Sequence, residues 1–134
     1  NILYARKIAS FDSAIIHCRH IGLLLTADRR FNQKGKFAMV KHIVCFKLRD
    51  ADDAKALRAR EILLSMVGNV PTIRHIEAGC DFLHSGRSYD VVLLVDVDDR
   101  DALDAYAMDP YHCKIVKTYI HAVVETSVTV DYEY

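Results

Sequence analysis

The sequence has no tryptophan, only two prolines and only five glycines among its 134 residues. That excludes a collagen-like or low-complexity chain and leaves the composition of an ordinary soluble globular protein. Long apolar runs are missing as well. None approaches the ~18 residues that a membrane-spanning helix needs, and the longest, such as Val91–Val95, have strand length. Net charge is absent, because 18 basic residues balance 18 acidic ones. A general nucleic-acid binder would be basic, so none is expected. Cys18, Cys45, Cys80 and Cys113 stand far apart, with no C-x-x-C pair. A chain of this size can bury a core without cross-links, so reduced thiols and a cytoplasmic setting are expected. Cys45, inside a strand pattern, is read as a small buried hydrophobe. There is no glycine-rich phosphate loop, zinc signature or nucleophile elbow. No metal or cofactor is therefore expected.

The zero net charge conceals a division. Residues 1–38 carry a net +5 and residues 39–134 a net −5. Such a split marks parts of different origin or role. An organised pattern begins at Met39. Before it, Ser10–Ser13 offer a cap for a short helix through Ile15 and Ile16. Ile21–Leu25 is a short apolar run that could add an edge strand, and Asn32–Lys36 is a polar linker. No small-residue cleavage site follows the apolar run, so this is not a secretory signal. His17-Cys18-Arg19-His20 lacks the second ligand cluster of a structural zinc site. Residues 1–38 are read as upstream sequence or a lineage-specific extension, and residues 39–134 as one domain.

Along that domain, Val40, His42, Val44, Phe46 and Leu48 share one face of an alternating stretch, which predicts a strand. Asp50–Asp53 provide helix caps, and Ala56, Ala59, Leu63, Met66 and Val67 follow at helical spacing. Gly68-Asn69 ends that helix and Pro71 prevents its resumption. Thr72–Asp81 and the β-branched Tyr89–Val97 predict two further strands around a loop at Phe82–Ser88. Asp98 and Asp99 cap a second helix through Tyr106. Asp109-Pro110 restarts it, with proline at the first helical position, to about Tyr119. Val123–Tyr132 predicts the last strand. The order is β-α-β-β-α-β, a ferredoxin-like α+β sandwich of an antiparallel sheet with helices on one face.

A sheet with one face in water should alternate cleanly between apolar and polar. Here the third strand is apolar on both sides, with Val91, Leu93, Val95 and Val97 opposite Val92 and Leu94. In the last strand Val128, Val130 and Tyr132 oppose Ser127, Thr129 and Asp131. Helices cover only one face, so a second copy packed by two-fold symmetry is expected on the other. The N-terminal segment is the alternative cover.

Five stretches now stand in a fixed order: Lys41-His42-Ile43-Val44-Cys45-Phe46-Lys47-Leu48, Gly79-Cys80-Asp81, Tyr89-Asp90, Tyr106-Ala107-Met108-Asp109-Pro110-Tyr111-His112 and Val130-Asp131-Tyr132. Together they resemble the stress-responsive dimeric α/β-barrel (Dabb) family over essentially all of residues 39–134. The resemblance implies a barrel made by two ferredoxin-like protomers. The family includes plant stress-induced proteins and a plant polyketide cyclase that performs an aldol-type closure without a cofactor. The cyclase's catalytic pair is a tyrosine and a histidine six residues later, which Tyr106 and His112 match here. His42 and Asp131 match two further pocket positions. The chain departs from the cyclase on the first helix, where Leu63 and Leu64 stand in place of large aromatics.

These residues make a chemically coherent set. His112 sits in the first turn of a helix, where the dipole disfavours imidazolium and keeps a base neutral. Asp131 could hold that ring, and Tyr106 could donate to a developing enolate oxygen. His42, Val44, Phe46, Leu64, Leu93 and Asp131 are expected to line the pocket. The plainer roles are a helix-start device for His112, a core plug for Tyr106 and a satisfied buried histidine for His42. His75, His84 and His121 are read as surface residues without partners, and Arg87 and Asp98–Asp104 as solvated faces. Three functions follow. The first is binding of a small apolar or aromatic ligand between sheet and helices. The second is a cofactor-free cyclase or lyase with His112 as base and Tyr106 as acid. The third is a dimeric-barrel monooxygenase, against which the lack of tryptophan counts.

Overall fold

The computed structural model describes residues 39–134. The short helix, the edge strand and the His-Cys cluster expected before Met39 lie outside the described residues, as does the N-terminal segment as a cover for the sheet.

The alternation predicted for the first strand is realised as β1, Val40–Leu48, whose Val40, Val44, Phe46 and Leu48 are buried. Helix α1, Asp53–Leu64, starts where the Asp52 carboxylate accepts from the Lys55 N–H. That bond satisfies one of the amides that a helix start leaves open. Ala56, Ala59 and Leu63 form its buried stripe. Gly68 takes φ +74° in the turn that follows, a conformation that costs glycine little. Strands β2, Ile73–Cys80, and β3, Val91–Val97, form an antiparallel pair. Helix α2, Arg100–Met108, is capped by the Asp99 carboxylate on the Ala102 N–H. The chain turns at Asp109, passes through a π-helical segment, His112–Val116, and continues as α3, Lys117–Val123. β4, Val124–Glu133, ends the order.

The sheet runs β2-β3-β1-β4, entirely antiparallel. β1 thus lies between β3 and β4, neither of which follows it directly in the chain, while β2 and β3 form a hairpin, the ferredoxin-like arrangement. Several boundaries differ from expectation, and α1 ends at Leu64, short of Gly68. The helix after Pro110 extends to Val123 rather than about Tyr119, and β3 starts at Val91 rather than Tyr89. Asp90 stops short of the strand because its buried carboxylate has other work. It accepts from the Leu48 N–H at 2.7 Å and from Lys47 Nζ at 3.0 Å. This ties the end of β1 to the hairpin loop.

Strand register assigns the two faces. Val40, Val44 and Phe46 of β1 stand beside Val97, Leu93 and Val91 of β3. With Leu63, Met66, Val70, Val116 and Ile120 from the helical side, they make the core. On the helix-free face, Ile43 and Cys45 stand beside Leu94 and Val92 on one side and Val130 and Val128 on the other. Val130 is 60% exposed and Val128 47%. An uncovered stripe of this kind is rare on a protein that works alone. Cys45 is half-buried there rather than part of the core.

Candidate functional site

The cavity exists because β4 is an edge strand. α1 lies over β2 and β3 and α2 over β1 and β3, while α3 meets only part of β4, so the inner face of β4 is left largely uncovered. Its inward residues Ser127, Thr129 and Asp131 are exposed. The resulting cavity has a volume of ≈ 380 Å³, within the usual range for small-molecule sites. Val44, Phe46, Leu63, Leu93, Val116 and Ile120 form its apolar floor, and Asp104, Lys117, His121 and the β4 side chains its polar rim.

Four side chains adjoin on one wall. The direct cross-strand pairing of β1 with β4 sets His42 opposite Asp131. His42 Nδ1–H donates to Asp131 Oδ1 at 2.6 Å. The His42 ring lies 5.6 Å from that of Tyr106, and Tyr106 stacks on His112 at 4.3 Å with 23° between planes. Asp131 therefore holds His42, not His112 as expected.

His112 is held by the turn itself. The Asp109 carboxylate accepts from the Tyr111 and His112 amides, capping the helix start as Asp-Pro predicted. The π-helical segment begins at His112, whose carbonyl accepts from the Lys117 N–H. Such widened turns recur at functional sites because they re-aim side chains. His112 Nδ1 lies 3.0 Å from the Tyr106 carbonyl. A carbonyl only accepts, so Nδ1 carries the proton and Nε2 keeps its lone pair. Burial pushes the His112 pKa down, assisted by the charges of Lys117 and His42 and opposed by the Tyr106 carbonyl and Asp109. Desolvation thus leads, ahead of the helix-dipole argument made from sequence. A neutral imidazole with an open Nε2 is a general base at neutral pH. Tyr111 does not block it, because its hydroxyl donates to Ser65 Oγ at 3.1 Å.

This depression has a consequence for stability. The folded-state pKa lies below the unfolded value of about 6.5, so between the two the unfolded chain binds more protons. The contribution of His112 therefore favours folding fully above about pH 6.5 and is lost as pH falls through the folded value. In a proton NMR titration the His112 ring is expected to change state below pH 6.5, with stability falling over the same interval. A midpoint at or above the ordinary value would refute this.

The Tyr106 hydroxyl is the least satisfied group on the wall. Tyr106 is 2% exposed, and its oxygen has no hydrogen-bond partner among the described residues. Burial raises its pKa well above the usual tyrosine range. It therefore stays protonated, a donor more than an acid.

Of the residues expected to line the pocket, His42, Val44, Phe46, Leu93 and Asp131 do so, together with Tyr106 and His112. Leu64 does not, and Leu63 takes its place. One step along a helix turns a side chain by about 100°, and the stripe through Ala56 and Ala59 continues to Leu63. His75, His84 and His121 are all exposed, as read, but the first two have partners. His75 pairs with Glu77 at 2.8 Å, and His84 receives weaker contacts from Asp53 and Asp81. His121, though exposed, lines the cavity, as does Asp104. Within the Asp98–Asp104 stretch, Asp98 binds Arg74. Lys117 and His121 were missed at the cavity, because at α-helical spacing they would point away from the face of His112, and the π-helical segment between brings them round. No cluster of three or more metal-ligating side chains is found among the described residues. No described helix is long and apolar enough to cross a membrane.

The fold and cavity define a ferredoxin-like α+β sandwich with a small-molecule-sized pocket between sheet and helices. Residues 40–134 match the profile of the Stress responsive A/B Barrel Domain (Dabb), and the chain belongs to that family. No curated protein gives a significant match. Among solved structures, a dimeric ferredoxin-like protein of unknown function from Bacteroides fragilis is 30% identical. That match covers 74% of this chain and 99% of the other, with a TM-score of 0.63. A Dabb-family protein from Mesorhizobium loti is 22% identical over 72% of this chain and 97% of its own, with a TM-score of 0.58. SnoaB from Streptomyces nogalater, a cofactor-independent oxygenase, shares the fold at 13% identity, covering 72% of this chain and 93% of its own, with a TM-score of 0.57.

Proposed function

We propose that this domain works as a homodimer in which each protomer binds a small aromatic or apolar carbonyl compound between its sheet and helices. The observation that carries this reading is the Tyr106 hydroxyl, buried on the cavity wall without a protein partner among the described residues. Leaving a buried donor unpaired costs about 1–3 kcal/mol. A ligand carbonyl would accept that bond while its apolar body rests on Phe46, Leu93 and Ile120. The dimer is supported by the apolar helix-free face and by the dimeric state of the Bacteroides fragilis relative. The half-buried free thiols at Cys45, Cys80 and Cys113 suit a reducing compartment such as the cytoplasm.

A second reading, a cofactor-free lyase or cyclase, is favoured by the fixed tautomer of His112. Nε2 would take a proton from the carbon beside the carbonyl. The C–H electron pair becomes the enolate, whose oxygen Tyr106 holds by a hydrogen bond. The enolate carbon then forms a C–C bond to a second carbonyl of the same molecule, whose π pair moves onto its oxygen, and that alkoxide takes the proton back from His112 Nε2. The oxygenase reading gains nothing from SnoaB, with which only the fold is shared.

Native mass spectrometry of the full chain, incubated with aromatic ketones and their carbonyl-free counterparts, tests the binding reading. Retention of a ketone at one per protomer in preference to its hydrocarbon is expected. Equal retention, or none, would overturn it.

A further inference from the structure

Lys117 is a cation set in the wall of a mostly apolar cavity. It is half-buried, and its ammonium donates to the Ala107 carbonyl at 3.2 Å. An ammonium has three N–H donors, so two are left without a protein acceptor among the described residues. Two acids share the cavity wall, Asp104 from α2 and Asp131 from β4. Asp131 is engaged by His42. Asp104 is exposed at the rim, and no ion pair joins it to Lys117. His121 stands one helical turn beyond Lys117 and also lines the cavity. Tyr106, the other unsatisfied donor, lines the same cavity. The Lys117 charge is also close enough to help lower the His112 pKa.

We propose that the ligand is an anion, an aromatic oxo-acid whose carboxylate pairs with the Lys117 ammonium while its ketone oxygen accepts from Tyr106. The inference rests on the cavity being the binding site and narrows what it takes. Two donors of different kinds, set into an apolar surface, suit a molecule with an apolar ring and two oxygen functions. A neutral hydrocarbon would leave both donors unsatisfied. The hydroxyls of Ser127 and Thr129 on the rim offer further polar contacts at the mouth.

A purely structural role for Lys117 is also open, since a cation at the Ala107 carbonyl closes the C-terminal end of α2. The two roles separate experimentally. Titration calorimetry of the full chain would use a panel of aromatic oxo-acids, phenylpyruvate among them, each paired with its methyl ester. The wild type is expected to bind the acid about tenfold or more tightly than the ester. Lys117→Met should bind acid and ester within about twofold of one another and keep the wild-type affinity for the ester, while Lys117→Arg should restore the preference. Equal binding of acid and ester by the wild type, or a preference that survives Lys117→Met, would overturn the inference and leave the cavity reading intact. Failure of every acid and every ester to bind the wild type would overturn both.

Discussion

Val130→Asp is expected to turn a dimer into a folded monomer. Val130 lies in the middle of the helix-free face, between Ile43 on β1 and the free edge of the sheet. It is 60% exposed within the protomer, so the substitution removes almost no core packing. Exposed substitutions of this kind change stability by about 0.5 kcal/mol or less. In a two-fold interface the change occurs twice, and each new carboxylate must be buried without a partner. Such a charge costs several kcal/mol, and ~4 kcal/mol already weakens association about 10³-fold. Sedimentation velocity at micromolar concentration should show a dimer for the wild type and a monomer with unchanged circular dichroism for the variant. A monomeric wild type, or a variant that remains dimeric, would contradict the proposed assembly.

Tyr106→Phe is expected to separate stability from binding. In most buried positions, losing a hydroxyl costs stability because its partner is left behind. Here the hydroxyl has no partner among the described residues, so nothing is stranded. Replacing an unsatisfied buried polar group by an apolar one of the same shape is neutral or stabilising. The ring stays, and with it the stacking on His112 at 4.3 Å. The cost should appear only with the ligand, whose carbonyl loses its donor. A loss of about 1–3 kcal/mol corresponds to roughly fivefold to 150-fold in affinity. A residue kept at the expense of stability in the empty protein is what a binding or catalytic role requires.

Much of this was legible in the sequence, for physical reasons that can be named. The faces of β1 follow from strict alternation, since a period of two leaves no freedom in where Val44 and Phe46 point. The caps at Asp52 and Asp99 and the Asp109-Pro110 restart are local chemistry, read within a few residues. His42 and Asp131 fell on the same wall by family resemblance, but their direct pairing needed the register of β1 with β4. Composition does not encode that register. The π-helical segment at His112–Val116 was not legible, because one widened turn leaves no trace in an apolar pattern. That turn decides where Lys117 stands. It explains why the sequence pointed to Tyr106 and His112 but passed over the cation beside them. Leu64 in place of Leu63 was an error of one helical step, a turn of about 100° and enough to take a side chain out of the cavity.

The most direct test of the site is a melting comparison of wild type and Tyr106→Phe, each with and without a saturating ketone retained by the wild type. Without ketone, the variant should melt at or above the wild-type temperature. With ketone, the wild type should gain substantially more than the variant, by mass action on its tighter complex. A variant that is less stable when empty yet equally stabilised by the ketone would show that Tyr106 serves the core and does not hold the ligand.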